Sequence, residues 1–434
     1  MRTSRWALVA PVSTILLTYV GYPVVLGLVA RRAGRRLTPL PGSSAWPSLT
    51  VVVAAYNEEQ VIEQKIADLR RQDYPGDVRI LVVTDGSTDS TPRLALGARV
   101  EVLHDRNRAG KSAAVNRGLA VSDTDLVVLT DANCYLAPGA LRALAEQFAD
   151  PTVAVVGGVK SVSGDTVQGR GEGLYWRFET ALKTAESVLG VVPGAVGELV
   201  ALRRSAVRPI PPGVLNDDFH LACAALADGH RVRCAAGART YEAGSLTTAD
   251  ELERRTRVAA GTWQTTLSHL RLLDPRRGHV AWVFAGHRVL RTVFAPVSLP
   301  VLLAASLWQS RPGAGAAAEA RVLLAGQVLL YGGAAASLRV DSRLLSAPYA
   351  FVSTNLATLR GGWRQLRGRQ PVAWQRVGRS LEPVIDLTAV DLTDIDLADI
   401  DLRDISLTNV NLEETTLPDA VVDARPVPDP AGAS

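Results

Sequence analysis

Apolar and polar positions along this chain come in blocks. From residue 6 to residue 30 about 25 positions carry no formal charge, enough for a helix to cross a bilayer core of roughly 30 Å. The middle of the chain then repeats one motif. A short apolar run ("LTVVVAA" at 49–55, "VRILVVTD" at 78–85, "TDLVVLTD" at 124–131) stops at polar residues and gives way to a helical pattern, as at 59–71. Runs this short, each succeeded by a helix, predict buried strands of an open α/β sheet. Apolar segments return at 289–308, 322–338 and 344–359.

The pattern divides the chain into an N-terminal transmembrane helix at 6–30, a catalytic-type domain at 49–265, an interfacial region at 266–288, membrane segments at 289–360 and a tail at 385–420. A signal peptide is the alternative for the first segment, but its apolar region would be shorter and would end in a small-residue cleavage site. Here the run continues to Arg31, Arg32, Arg35 and Arg36, against only Arg2 and Arg5 before it. That asymmetry predicts a cytoplasmic location for the domain that follows and a multi-pass protein of the plasma membrane. The segment 344–359 is short and precedes Arg360, Arg364, Arg367 and Arg369, which predicts a re-entrant or interfacial element. The link holding Pro39, Pro41, Gly42, Ser43, Ser44 and Pro47 joins the first helix to the domain.

The tail repeats every five residues, with Leu387, Leu392, Leu397, Leu402, Leu407, Leu412 and Leu417 in register. This resembles a pentapeptide-repeat solenoid, although Ile or Val stands where that family favours Ala and the coils are few. A disordered acidic tail is the alternative.

Composition narrows the picture only a little. With 434 residues, 47% of them hydrophobic, and a formal charge of +4, the chain has material for a large core. Its three cysteines form no disulfide or zinc spacing. Arginine dominates up to the acidic tail, and basic character beside apolar segments points to anionic headgroups and phosphorylated substrates rather than to nucleic acid.

Asn57, Glu58, Asp85, Asp131 and Asn133 all fall where an apolar run ends, and an open α/β sheet binds ligands at the carboxyl ends of its strands. Lys111 in "AGKSAAVN" invites a phosphate-loop reading, but that motif needs glycine where Asp105 stands. Carboxylate and carbonyl oxygens such as those of Asp131 and Asn133 are ligands that Mg or Mn prefers.

Taken in order, "VVVAAYNEE", "VVTDGSTDST", "RAGKSAAVNRGL", "LTDAN", "VLNDDFHLACAALADGHRV", "RRTRVAAGTWQ" and "GHRVLRTVFAP" resemble the membrane-embedded family 2 glycosyltransferases, the group that includes synthases of hyaluronan, cellulose and poly-N-acetylglucosamine. The resemblance covers roughly 15–375 and implies a GT-A fold, a UDP-sugar donor and a divalent cation, Mg or Mn, held by Asp131 and Asn133. Asn133 replaces the commoner second Asp, which leaves one negative charge fewer. By the same resemblance Ala55, Tyr56 and Glu58 flank the base and ribose, Asp85 meets the uracil edge, Lys111 lies beside the nucleotide, and Asp218, eleven residues before Gly229, is the catalytic base. Asp217 then caps its helix or positions the acceptor. Arg257 faces the diphosphate and Arg254 contacts the nucleotide sugar, in a motif that keeps its arginine but lacks the Gln and Trp of chain-elongating members, and Trp263 is the candidate to replace that Trp. The activity implied is inverting transfer onto a growing polysaccharide. Two alternatives are a single addition to a membrane lipid acceptor and a silent scaffold that meets an envelope-complex partner through the acidic tail.

Overall fold

The computed structural model describes residues 2–34, 46–161, 167–242, 248–312 and 316–371. The five-residue repeats at 385–420 and the link at 39–45 lie outside these residues.

Eight strands form one mixed, open sheet: β1 (Leu49–Ala55), β2 (Val78–Asp85), β3 (Glu101–Asp105), β4 (Leu126–Asp131), β5 (Cys134–Leu136), β6 (Val153–Ser161), β7 (Leu199–Arg203) and β8 (Arg231–Glu242). Their order is β3-β2-β1-β4-β7-β6-β8-β5. Every residue of β1 is buried, because helices cover both faces of the sheet, and that is why it reads as an unbroken apolar run. Val52 and Ala54 enter the core on one face, Val51 and Val53 the core on the other, as the two-residue period of a strand requires.

β1 pairs in parallel with β2 and β4, whereas β7 runs antiparallel to β4 and β6. The reversal sets Leu199 opposite Thr130. Gly197 and Glu198, just before β7, therefore arrive at the sheet edge where β4 ends in Asp131; a parallel strand would have carried them to the far edge.

The helices are α1 (Arg2–Leu16), α2 (Tyr22–Ala33), α3 (Ile62–Arg70), α4 (Thr91–Gly97), α5 (Lys111–Val121), α6 (Ala140–Glu146), α7 (Val167–Leu189), α8 (Asp217–Ala227), α9 (Thr248–Ser268), α10 (His279–Val283), α11 (Ala295–Gln309), α12 (Ala317–Ala336) and α13 (Arg343–Leu366). α3 begins later than the 59–71 pattern suggests. The N–H groups of Glu58 and Glu59 donate to Thr91 Oγ1 (2.8 Å) and Asp89 Oδ2 (3.2 Å) instead of opening a helix, and side-chain capture of this kind competes with helix formation.

α1 and α2 join through a π-helical stretch, Leu17–Gly21, and a second one, Phe284–Phe294, joins α10 to α11. The two continuous helices that result, 5–33 and 279–309, are long and apolar enough to cross a membrane. Of the first, only 17% of the most apolar window is buried, and Leu16, Leu17, Val20, Val24, Val25 and Leu28 face outward, unlike the core helix of a soluble domain. A buried polar clamp ties both helices to α7: Tyr22 donates to Glu186 Oε1 (2.6 Å), and His287 Nδ1 lies 2.7 Å from the same oxygen. The 266–288 stretch is the end of α9, two 3₁₀ turns, Leu270–Leu273 and Pro275–Arg277, then α10 and the start of the second π-helical stretch.

Candidate active site

A cleft of about 460 Å³ opens at the carboxyl edge of the sheet, with Lys111, Asp131, Asn133, Asp217, Asp218 and Arg257 in its lining. Local chemistry holds each in place. Fully buried Lys65 donates to Thr130 Oγ1 (3.1 Å) and to the Cys134 carbonyl (2.6 Å), which grips the Asp131–Asn133 turn from both ends. Lys111 opens α5 directly after Gly110, and its Nζ lies 2.7 Å from Asp131 Oδ1 and 3.8 Å from Asp217 Oδ2. Burial alone would lower the Lys111 pKa, but Asp131 and Asp217 outweigh it and hold the ammonium above its usual range.

Asp217 is buried and Asp218 partly so. Burial, with Asp217 adding to it, pushes the Asp218 carboxyl up to about 6 against the opposing pull of Lys111. Asn216 sits at the N-cap of α8 yet makes no cap bond, contrary to the capping role that its type suggests. Its amide reaches across to α9 instead and donates to the Val258 carbonyl (2.9 Å).

The two arginines expected at the donor differ. Arg254 is claimed by Glu251 (2.8 Å) and Glu172 (3.3 Å). Arg257 makes no hydrogen bond or ion pair among the described residues; burial and neighbouring Arg254 lower its pKa, with Asp131 and Asp217 opposing. An arginine stays charged under such pressure, so the cleft holds one guanidinium without a partner. Trp263 is not in the cleft at all. Its Nε1 donates to the Thr358 carbonyl (3.0 Å) and its ring packs on Gly362 of α13, so it does not stand in for the missing Trp of the motif.

Ala55, Tyr56, Asp85, Arg108, Lys111 and Asp131 line a narrow adjoining slot, which Arg108 covers with its Cζ 3.8 Å from the Tyr56 ring centroid. Asp85 is bonded on both oxygens, accepting from the N–H groups of Ala109 (3.1 Å) and Gly110 (2.6 Å) and from Arg117 (2.8 Å). It braces the loop that carries Arg108. Gly86, at φ +71°, lets that loop come close, since a Cβ there would fall 2.9 Å from the Arg108 backbone nitrogen. Glu58 is buried and lines neither slot nor cleft.

Among the described residues no group of three or more His, Cys, Asp or Glu could hold a metal ion. The set formed by Asp131 and Asn133, one carboxylate and one amide carbonyl, still fits Mg or Mn, which are bound through few protein oxygens and complete their shells with phosphate and water. Asp131 is about a quarter exposed and Lys111 meets its Oδ1, so among the described residues Oδ2 remains for an ion.

Sequence reasoning missed Arg108, Trp176, Glu198 and Arg288 as lining residues. Two of them had a signal: Arg108 opens "RAGKSAAVNRGL", and Arg288 stands with Arg291 as a charge in the mostly apolar "GHRVLRTVFAP".

Residues 50–210 match the profile of Glycosyl transferase family 2. An N-acetylglucosaminyltransferase of Sinorhizobium fredii is 28% identical over 257 residues, 54% of this chain and 62% of its own length. A beta-monoglucosyldiacylglycerol synthase of Synechocystis is 28% identical over 285 residues, 61% of this chain and 58% of its own. The chain thus spans less than two thirds of either relative. A mannosyltransferase of Pyrobaculum calidifontis, solved with GDP-Man and Mn²⁺, superposes with a TM-score of 0.66 at 25% identity over 83% of this chain and 99% of its own.

Proposed function

We propose that the family 2 glycosyltransferase domain of this chain works as an inverting transferase at the membrane, moving a sugar from a nucleotide-sugar donor to an acceptor hydroxyl. The observation that carries this reading is the unpartnered Arg257 in the cleft that also holds the Lys111–Asp131 pair and the perturbed Asp218. Perturbed acids beside unmatched cations are what a reaction with a departing anion requires.

Arg257 and Lys111 give fixed positive charge to a diphosphate whose negative charge grows as the sugar leaves. Asp131 and Asn133 would hold a divalent cation, and such an ion, when bound, acts as a Lewis acid toward phosphate oxygens. Asp218, with a pKa of about 6, is ionised at neutral pH and basic enough to take the acceptor proton. The acceptor oxygen then attacks the anomeric carbon opposite the diphosphate, the bond from that carbon to the β-phosphate oxygen breaks, and its electron pair leaves on that oxygen with the nucleoside diphosphate. Ala55, Tyr56 and Asp85 border the base site for a UDP-sugar. Arg254 positions α9 through Glu251 and Glu172.

The acceptor is membrane-held and receives a single sugar. Val258 stands at the tryptophan position of the chain-elongating motif and Trp263 packs against α13, so α9 brings no tryptophan into the cleft. The two long apolar helices 5–33 and 279–309 support a multi-pass protein of the plasma membrane, and the arginines after the first of them favour a cleft on the cytoplasmic side. The test is UDP release by the full-length protein in lipid nanodiscs with Mn²⁺ and a panel of labelled UDP-sugars, with products separated into lipid-sized and polymer-sized fractions. Release with a labelled lipid product is expected. Polymer-sized product overturns the single-addition part, and no affinity for UDP in the presence of Mn²⁺ overturns the transferase reading in favour of a scaffold.

A further inference from the structure

A second cavity, of about 170 Å³, adjoins the cleft and shares Tyr175, Trp176, Glu179, Arg254 and Arg288 with it. Its other walls include Tyr19 of the N-terminal helix, Thr292 of the second π-helical stretch and Asn355 of α13. It therefore extends the cleft to both helices that are apolar enough to cross a bilayer.

The cations around this cavity fall into two groups. Arg254 and Arg255 are held by Glu251 and Glu172, and Arg291 by Glu179. Arg288 has no acid partner among the described residues. Its Nε donates to the Pro193 carbonyl (2.8 Å), and its Cζ lies 4.5 Å from the ring centroid of Phe219, the residue after Asp218. Gly194, lacking a side chain, leaves room for the guanidinium. One N–H and one ring face thus fix the group in place, and both terminal nitrogens remain unspent at the junction of the two cavities. Leaving a partly buried guanidinium unpaired is costly, and these walls supply an acid to every other arginine except Arg257, which the donor diphosphate satisfies.

We propose that Arg288 binds a phosphate ester carried by the acceptor, close to the hydroxyl that Asp218 deprotonates. The proposal rests on the transferase reading and names the acceptor class for it. A planar guanidinium fork recognises two oxygens of one phosphate, and a headgroup entering from the membrane side through the second cavity meets Arg288 on its way to the base. The transfer balances without further reactants: the acceptor O–H proton goes to Asp218, an O–C bond forms at the anomeric carbon, and the C–O bond to the diphosphate breaks. A phosphate ester next to a free hydroxyl occurs in hydroxylated glycerophospholipids, in polyprenyl phosphosugars and in soluble sugar phosphates.

The full-length protein in nanodiscs would be given Mn²⁺, its UDP-sugar and one acceptor at a time: phosphatidylglycerol, a polyprenyl phosphosugar, glycerol 3-phosphate, or neutral diacylglycerol. A phosphate-bearing acceptor is expected to raise UDP release well above diacylglycerol, and the arm that does so identifies the source. Arg288→Gln should raise the KM for that acceptor about 10- to 100-fold, the range of one charge-assisted contact, while UDP affinity stays within about twofold. Arg288→Lys, a point charge without the fork, should fall between. Equal use of diacylglycerol with no response to Arg288→Gln overturns the proposal and leaves the transferase reading standing, as does an equal loss of UDP affinity in Arg288→Gln, which would assign this residue to the donor. Absence of UDP binding in the unaltered protein overturns the transferase reading itself.

Discussion

Asn216 and Gly261 approach so closely that no side chain fits between them: a Cβ on Gly261 would lie 2.2 Å from Asn216 Oδ1. The contact joins the start of α8 to α9, the two helices that bring Asp218 and Arg257 to one cleft. Gly261→Ala must therefore push Asn216 off its bond to the Val258 carbonyl and shift the two aspartates that follow it. Misplacing a catalytic group by about 1 Å costs on the order of 100-fold, so kcat should fall about 10- to 100-fold. UDP affinity, measured in the same preparation, should change little, because the nucleotide slot is built by other loops.

Asp218→Asn retains shape but cannot accept the proton. Turnover at saturating donor should drop by roughly 10² to 10⁴, the contribution of a positioned base, with UDP affinity preserved. In the proposed mechanism the carboxylate is the working form, and with its pKa raised to about 6 activity should fall as pH drops through that value, a limb of the pH profile that should vanish in Asp218→Asn. A similar loss of UDP affinity would reassign the residue to donor binding.

Asn133→Asp restores a second carboxylate beside Asp131. More ligand charge tightens binding of a hard divalent cation, so half-saturating Mn²⁺ in the UDP-release assay should fall several-fold. Asp131→Ala should move it the other way. An unchanged Mn²⁺ requirement in both variants would remove these residues from the metal site.

A chain ended after Arg379 loses the five-residue repeats and every residue of the acidic tail. Membrane insertion and UDP release should be retained, because every residue assigned to the cleft lies before Gln309. Loss of turnover in a correctly inserted truncation would make the tail part of the catalytic fold.

The linear order of residues was sufficient for whatever depends on near neighbours. Buried strands show as unbroken apolar runs because both of their faces are covered, and the polar residues at their ends had to meet at one edge because parallel strands share a direction. That reasoning reached Asp85 and Asp131, and apolar run length gave the two apolar helices, while Lys111 and the Asn216–Asp218 segment were implied by the family resemblance. Tertiary structure decided what depends on distant partners. Arg254 and Arg257 are three residues apart and indistinguishable by type; Glu251 and the distant Glu172 of α7 neutralise Arg254, whereas Glu253, one helical turn before Arg257, turns to Arg364 on α13. Trp263 turned toward α13, and Asn216 gave its amide to Val258 on another helix rather than to its own. The reversed β7 delivered Glu198 to the site edge, and a helix apolar enough to cross a membrane returned Arg288 to the cleft. Each outcome rests on a contact between residues far apart in sequence, and the energy of such a contact is set by packing geometry rather than by residue type or spacing.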